Sequence, residues 1–160
     1  MKPTARDHHT YDLVVCGGGL AGVCTALSAS RLGLKTALIG DRPVLGGNSS
    51  SEVRVALAGT ANAHAWTRES GIIEELILTE RARNFTIRRE SQVNSVWDLV
   101  LYDTCRREPL LTLYLNASIR SVTRKMKRIK AVSVVQLGNE KQFSVKGDLF
   151  DVRHQFEADS

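Results

Sequence analysis

Cysteine is scarce in this sequence. There are three, Cys16, Cys24 and Cys105, an odd number with no C-x-x-C pair and no His/Cys spacing suited to a metal. That excludes a disulfide framework and leaves no metal site to name. The thiols read instead as small core or helix-face residues in a reducing compartment. Long hydrophobic runs are missing as well. None approaches the ~20 residues of a membrane helix, and the polar start, residues 1–10, has no apolar stretch of the kind a secretory signal needs. A cytoplasmic protein without a membrane partner is the expectation. The chain also lacks a Walker-type lysine, a Ser/His/Asp set, an internal repeat and any low-complexity tract.

What is present is an ordinary globular balance. Of 160 residues, 42% are hydrophobic and 24% charged, which suits one domain with a real core and excludes collagen-like or fully disordered chains. Twenty-two basic residues against 17 acidic ones give a net charge of +5. Much of this excess is local, in Arg120, Arg124, Lys125, Lys127, Arg128 and Lys130, where one strand ends and the next begins. No aromatic residues interleave with them, so the cluster reads as a solvated hairpin turn rather than a nucleic-acid surface.

Along the chain, residues 1–10 read as a flexible N-terminal arm. Tyr11-Asp-Leu-Val-Val-Cys16 is a short, nearly continuous apolar run, as in a parallel strand buried on both faces. Glycines interrupt it, residues 20–32 follow as a helix rich in small side chains, and Gly33 is placed to stop it. Residues 34–39 form a second buried strand. Strand, glycine turn, helix and strand make one βαβ unit with a right-handed crossover.

Residues 40–59 are polar and small, a loop of a length that is usually functional. Helices are predicted over 70–83, with Ile72, Ile73, Leu76 and Ile77 on one face, and over 95–107. The second opens on a capping box in which Asp98 reaches back to the chain at Ser95, and Pro109 closes it. Residues 111–115 give a third strand. Residues 119–123, 129–137 and 142–145 alternate as an antiparallel β-meander, with Gly138-Asn139 as one turn. Residues 151–160 are an off-pattern polar tail.

The chemistry lies in Gly17-x-Gly19-x-x-Gly22. Alone the pattern is weak, but here it follows a buried strand and opens a helix. Gly17 permits the tight turn, Gly19 lets a pyrophosphate approach the backbone, and Gly22 lets the helix pack on the sheet. The N–H groups of Leu20, Ala21 and Gly22 then face the phosphates at the positive end of the helix dipole. Asp41, nineteen residues after Gly22, is the candidate carboxylate for the adenosine ribose. Glu52, Arg54, His64, Arg68 and Glu69 are further polar candidates whose spacing does not establish convergence.

These segments resemble a known family. Residues 11–39, followed by Asp41-Arg-Pro-Val-Leu-Gly-Gly-Asn48-Ser-Ser-Ser-Glu-Val-Arg54, are similar to the FAD-dependent oxidoreductases that include the heterodisulfide reductase A-like flavoproteins. The likeness continues through Arg68-Glu-Ser-Gly-Ile-Ile-Glu-Glu-Leu76, Ser95-Val-Trp-Asp-Leu-Val-Leu-Tyr-Asp103 and Leu113-Tyr-Leu-Asn116, covering roughly residues 11–150. The resemblance implies an α/β, Rossmann-like FAD-binding domain, with a parallel sheet and a small antiparallel meander. It implies FAD as cofactor, held at the pyrophosphate by Gly17, Gly19 and Gly22. The stretch from Asp41 and Arg42 through Gly46, Gly47 and Asn48 would wrap the adenosine side and lead toward the flavin. The flavin would carry the redox chemistry on a small-molecule substrate that these residues do not name.

Three features depart from the family pattern. The usual position of the ribose-binding acid falls on Gly40, with the carboxylate one residue later at Asp41. The three cysteines cannot supply the grouped ligands with which some relatives bind iron–sulfur clusters. After Gly147-Asp-Leu-Phe150 the sequence leaves the expected second FAD-contacting turn, so the domain reads as incomplete, with its C-terminal part and substrate domain absent or supplied by a complementing chain. Two other readings stay open on the residues themselves: an NAD(P)-binding module of a dehydrogenase, and a non-catalytic fragment.

Overall fold

A computed structural model describes residues 7–57, 59, 66–84, 94–138 and 141–152. Strand β1 (Asp7–Cys16) leads into helix α1 (Leu20–Arg31) and strand β2 (Thr36–Ile39). A single 3-10 turn (Gly47–Ser49), helix α2 (Gly71–Arg83) and helix α3 (Ser95–Arg107) separate β2 from β3 (Leu111–Tyr114). Strands β4 (Ala117–Lys125), β5 (Arg128–Gln136) and β6 (Lys141–Val152) complete the described chain.

The six strands form one sheet in the order β3-β2-β1-β6-β5-β4. β3, β2, β1 and β6 run parallel, and β4, β5 and β6 are antiparallel neighbours. The expected meander is therefore continuous with the parallel sheet. β6 is the join: it pairs with β5 from Lys141 to Lys146 and with β1 from Phe143 to Val152.

Alternation along the central strands feeds two cores. Leu13 and Val15 of β1 and Leu38 of β2 pack with Val23 and Leu27 of α1, Leu76 of α2 and Trp97, Val100 and Leu101 of α3. Val14, Cys16, Ala37 and Ile39 point to the other face, among Val132, Val134, Phe143 and Val145 of the meander. Parallel strands covered on both faces explain the unbroken apolar runs in the sequence. Each fully buried side chain of this kind contributes about 1.5–3 kcal/mol through removal from water.

Several local expectations shift. β1 begins at Asp7, so residues 7–10, assigned to a loose arm, are paired with β6. Strand pairing also extends through Asp151 and Val152, which the sequence placed in the tail. α3 is capped by Asn94, whose Oδ1 accepts from the backbone N–H groups of Val96 and Trp97 at 2.8 and 3.1 Å. Asp98 is accordingly not part of a capping box. The Pro109 region does close α3, and Leu137-Gly138 begins the β5–β6 turn, whose Asn139 lies outside the described residues.

The basic cluster sits on the β4–β5 hairpin, as expected, with all six side chains exposed. β4 is an edge of the sheet, and its register with β5 slips twice, leaving Arg120 and Lys130 unpaired at the two bulges. Charge and bulges on an edge strand discourage a further strand from adding there.

Candidate functional site

The C-terminal ends of β1 and β2 open onto the turn between β1 and α1. The Gly17 N–H donates to the Ile39 carbonyl at 2.8 Å, tying the turn to the end of β2. α1 then starts at once, its first internal bond running from the Val23 N–H to the Gly19 carbonyl at 2.9 Å. The N–H groups of Leu20, Ala21 and Gly22 precede that bond, so they have no partner within the helix. Gly19 caps the helix with an ordinary φ of −68° and no side-chain cap, and no acidic residue lies in the first turn. The positive end of the helix dipole is thus left without a competing carboxylate.

The chain after β2 returns across this turn. The Gly46 N–H donates to the Gly18 carbonyl at 2.8 Å, and Gly19 and Gly46 form a parallel bridge. A Cβ on Gly47 would lie 3.2 Å from the Gly19 Cα, and Gly46 and Gly47 both adopt positive φ, 104° and 60°. Only glycine takes such a pair of conformations without strain while lying this close to another backbone.

Together these segments form a cleft of about 230 Å³, lined by Gly17, Gly18, Gly19, Gly40, Asp41, Arg42, Val44, Gly47 and Asn48. Six of the ten residues selected from the sequence thus line one cleft. Leu20, Ala21 and Gly22 form the helical turn behind it. Gly46 lies beneath, where an added Cβ would come within 3.0 Å of Leu101 Cδ1. The sequence reading missed Gly18, Gly40 and Val44. For Gly18 and Gly40 the signal is a glycine at the end of each of two adjacent parallel strands: a Cβ on Gly18 would be 3.3 Å from the Gly40 Cα.

The shift of the acid from position 40 to 41 has a geometric counterpart. Gly40 is still held as sheet, its N–H donating to the Tyr114 carbonyl at 2.8 Å and its carbonyl accepting from the Ala117 N–H at 2.9 Å. It is buried between Gly18 and Leu115, where an added Cβ would lie 3.5 and 3.6 Å from its neighbours. Asp41 comes after this anchor, exposed at the cleft wall. Beside it, the Arg42 guanidinium lies 3.8 Å from the Glu52 carboxylate.

Of the remaining polar candidates, Arg54 and Arg68 each have a partner of their own. Arg54 donates through Nε to the Ser51 carbonyl at 3.2 Å, Arg68 pairs with Glu74 of α2, and His64 lies outside the described residues. Among the described residues no group of three His, Cys, Asp or Glu side chains is arranged to hold a metal ion, and no helix is long and apolar enough to cross a membrane. Cys16 and Cys105 are buried and Cys24 half-buried, and none of the three is in a disulfide. Burial pushes the Cys105 thiol up to about 12, with smaller contributions from nearby Cys24 and Glu108. It is a structural thiol, not a nucleophile.

Comparison with known proteins places this geometry. The model of the family described as FAD dependent oxidoreductase matches residues 12–150. A stretch of 60 residues is 47% identical to the fumarate reductase (cytochrome) of Shewanella frigidimarina, covering 38% of this chain and 10% of that protein. Among solved structures, a geranylgeranyl bacteriochlorophyll reductase-like protein from Thermoplasma acidophilum superimposes with a TM-score of 0.59 at 18% identity, over 90% of this chain and 39% of the other. The open form of a flavocytochrome c3 fumarate reductase gives 0.58 at 15% identity, over 90% and 33%. The chain therefore spans well under half the length of each of these proteins, and at such identities the structural likeness is one of fold.

Proposed function

The chain belongs to the FAD dependent oxidoreductase family, and from that premise we propose that its cleft holds the ADP half of FAD. Family membership makes this chain an FAD-binding portion of a flavin oxidoreductase; the assignment of atoms to residues is our reading. The pyrophosphate lies over Gly17, Gly19 and the first turn of α1, the Asp41 carboxylate accepts from the adenosine ribose hydroxyls, and Gly47 and Asn48 lead toward the flavin. FAD, when bound, supplies the hydride and electron chemistry. The protein's residues bind it, orient it and neutralise its phosphates.

The observation that carries this reading is at Gly19. An added Cβ there would meet nothing within 4 Å, although both chain segments crossing the turn are tightly packed. Gly19 is also the N-cap of α1, which has no side-chain cap and no acidic residue in its first turn, so the helix dipole and its first N–H groups favour an anion there. The residues present therefore fit a pyrophosphate.

Within the family we place the chain beside the heterodisulfide reductase A-like flavoproteins, on the Leu45-Gly-Gly-Asn48 segment and the run Ser95-Val-Trp-Asp98. We assign it to the cytoplasm, where its three thiols, none of them in a disulfide, stay reduced. The cleft, about 230 Å³, is below the ~300–1,000 Å³ of a typical enclosed ligand pocket. We therefore assign the flavin's remaining cover, and the site for its small-molecule substrate, to a further domain or a complementing chain.

Competition calorimetry with FAD, ADP, FMN and NAD+ tests the proposal. ADP displacing FAD while FMN does not is the expected pattern. NAD+ binding more tightly than FAD would replace it with a dehydrogenase module.

A further inference from the structure

The segment from Gly46 to Val55 carries two cleft residues, Gly47 and Asn48, and is bonded mainly to itself. The Ser49 and Ser50 hydroxyls donate to the Gly46 and Gly47 carbonyls at 2.9 and 2.7 Å. The Val55 N–H donates to the Asn48 carbonyl at 2.9 Å, closing the loop. Arg54 sits at a φ of 62°, a left-handed conformation that a non-glycine residue holds only when its surroundings impose it.

Helix α3 holds this loop from outside. Asp98 uses both carboxylate oxygens on one loop residue: Oδ1 accepts from the Ser51 N–H at 3.0 Å, and Oδ2 from the Ser51 hydroxyl. One turn further along, Leu101 lies under Gly46. α3 is itself fixed, because Asn94 at its N-cap donates through Nδ2 to Oε1 of buried Glu80 on α2 at 3.1 Å.

We propose that Asp98 is a positioning residue for the cofactor. It touches no part of the cleft, yet by gripping Ser51 it sets where Asn48 and Gly47 lie relative to Gly19. This inference rests on the FAD reading of the cleft. Its reach is larger than one hydrogen bond, since the loop's ties at Gly46 to Gly18 and at Glu52 to Arg42 lie on the cleft side, and Asp98 holds it from the α3 side. A carboxylate in the first turn of a helix is also favoured by the dipole, so the grip is in place before any ligand arrives.

The test uses the full chain and three variants, Asp98→Ala, Asp98→Asn and Ser51→Ala. Three readouts are taken: FAD affinity by flavin fluorescence, thermal midpoint without ligand, and hydrogen exchange of residues 46–55. Asp98→Ala is expected to weaken FAD at least about tenfold, because it removes both acceptors of a partly buried pair. It should raise exchange at Ser51 and Val55, with β1 and β2 unchanged and the midpoint within about 3 °C of wild type. Asp98→Asn, which keeps an acceptor for the Ser51 N–H, should recover most of the affinity, and Ser51→Ala should fall between.

Undiminished FAD affinity in Asp98→Ala, beside a wild type that binds FAD, overturns the positioning role alone. So does a loss of affinity that merely follows a large fall in midpoint. A wild type that binds no FAD overturns the cleft reading and this inference with it.

Discussion

A Cβ placed on Gly22 would lie 2.0 Å from the carbonyl oxygen of Gly17. The first turn of α1 is therefore seated directly on the backbone of the turn that precedes it, and neither partner is a side chain that can swing away. Gly22→Ala must move the helix relative to β1. We expect a loss of about 3 kcal/mol, the upper end of the cost of overpacking, and a thermal midpoint lower by about 6–12 °C. A calorimetric scan checks it, and a midpoint unchanged within about 2 °C would mean that α1 is not seated as described.

Alkaline pH should destabilise the fold through Cys105. Its thiol, ordinarily near 9, is pushed up to about 12 by burial. The folded state therefore keeps this proton over a range in which the unfolded chain gives it up. The stability is intact below about pH 9 and declines as pH rises toward 12. Urea unfolding across that range should show a shallower decline in Cys105→Ala than in wild type. Parallel declines would remove the thiol from the account.

Across the meander-side core, the Tyr11 and Tyr114 hydroxyls share a hydrogen bond of 2.7 Å. Burial, followed by this bond, holds the Tyr114 phenol well above its ordinary range. Tyr11→Phe and Tyr114→Phe should each cost about 1 kcal/mol. Because both lose the same bond, the double variant should cost little more than either single one. Denaturant midpoints of the four proteins decide this, and additive losses would show that the hydroxyls act separately.

Much of this was legible from the chain alone, and the reason is local. Gly17, Gly19 and Gly22 stand at the spacing a strand-to-helix turn requires, and Ile72, Ile73, Leu76 and Ile77 mark the inner face of α2 without reference to anything distant. The expectations that moved depend on partners far away in sequence. Asp98 has the spacing of a capping box with Ser95, but its partner is Ser51, 47 residues earlier. Adjacent Asn94 and Ser95 are both good caps, and the bond from Asn94 to Glu80 selects the first. Asp7 through Thr10 carry no apolar pattern; pairing with β6 makes them strand. Gly40 read as a missing carboxylate because its contact with Gly18 joins two strand ends that only the parallel sheet brings together.

The central claim is that the cleft over Gly19 receives FAD, and a visible spectrum tests it most directly. The chain is incubated with FAD, passed through gel filtration and measured beside Gly19→Val. At φ −68° with open space around it, position 19 accepts a side chain without disturbing the fold, so the variant blocks the cleft alone. The predicted result is a flavin band retained by the wild type and lost by the variant, with closely similar unfolding midpoints. A colourless wild type, or a variant that keeps its flavin, would contradict it.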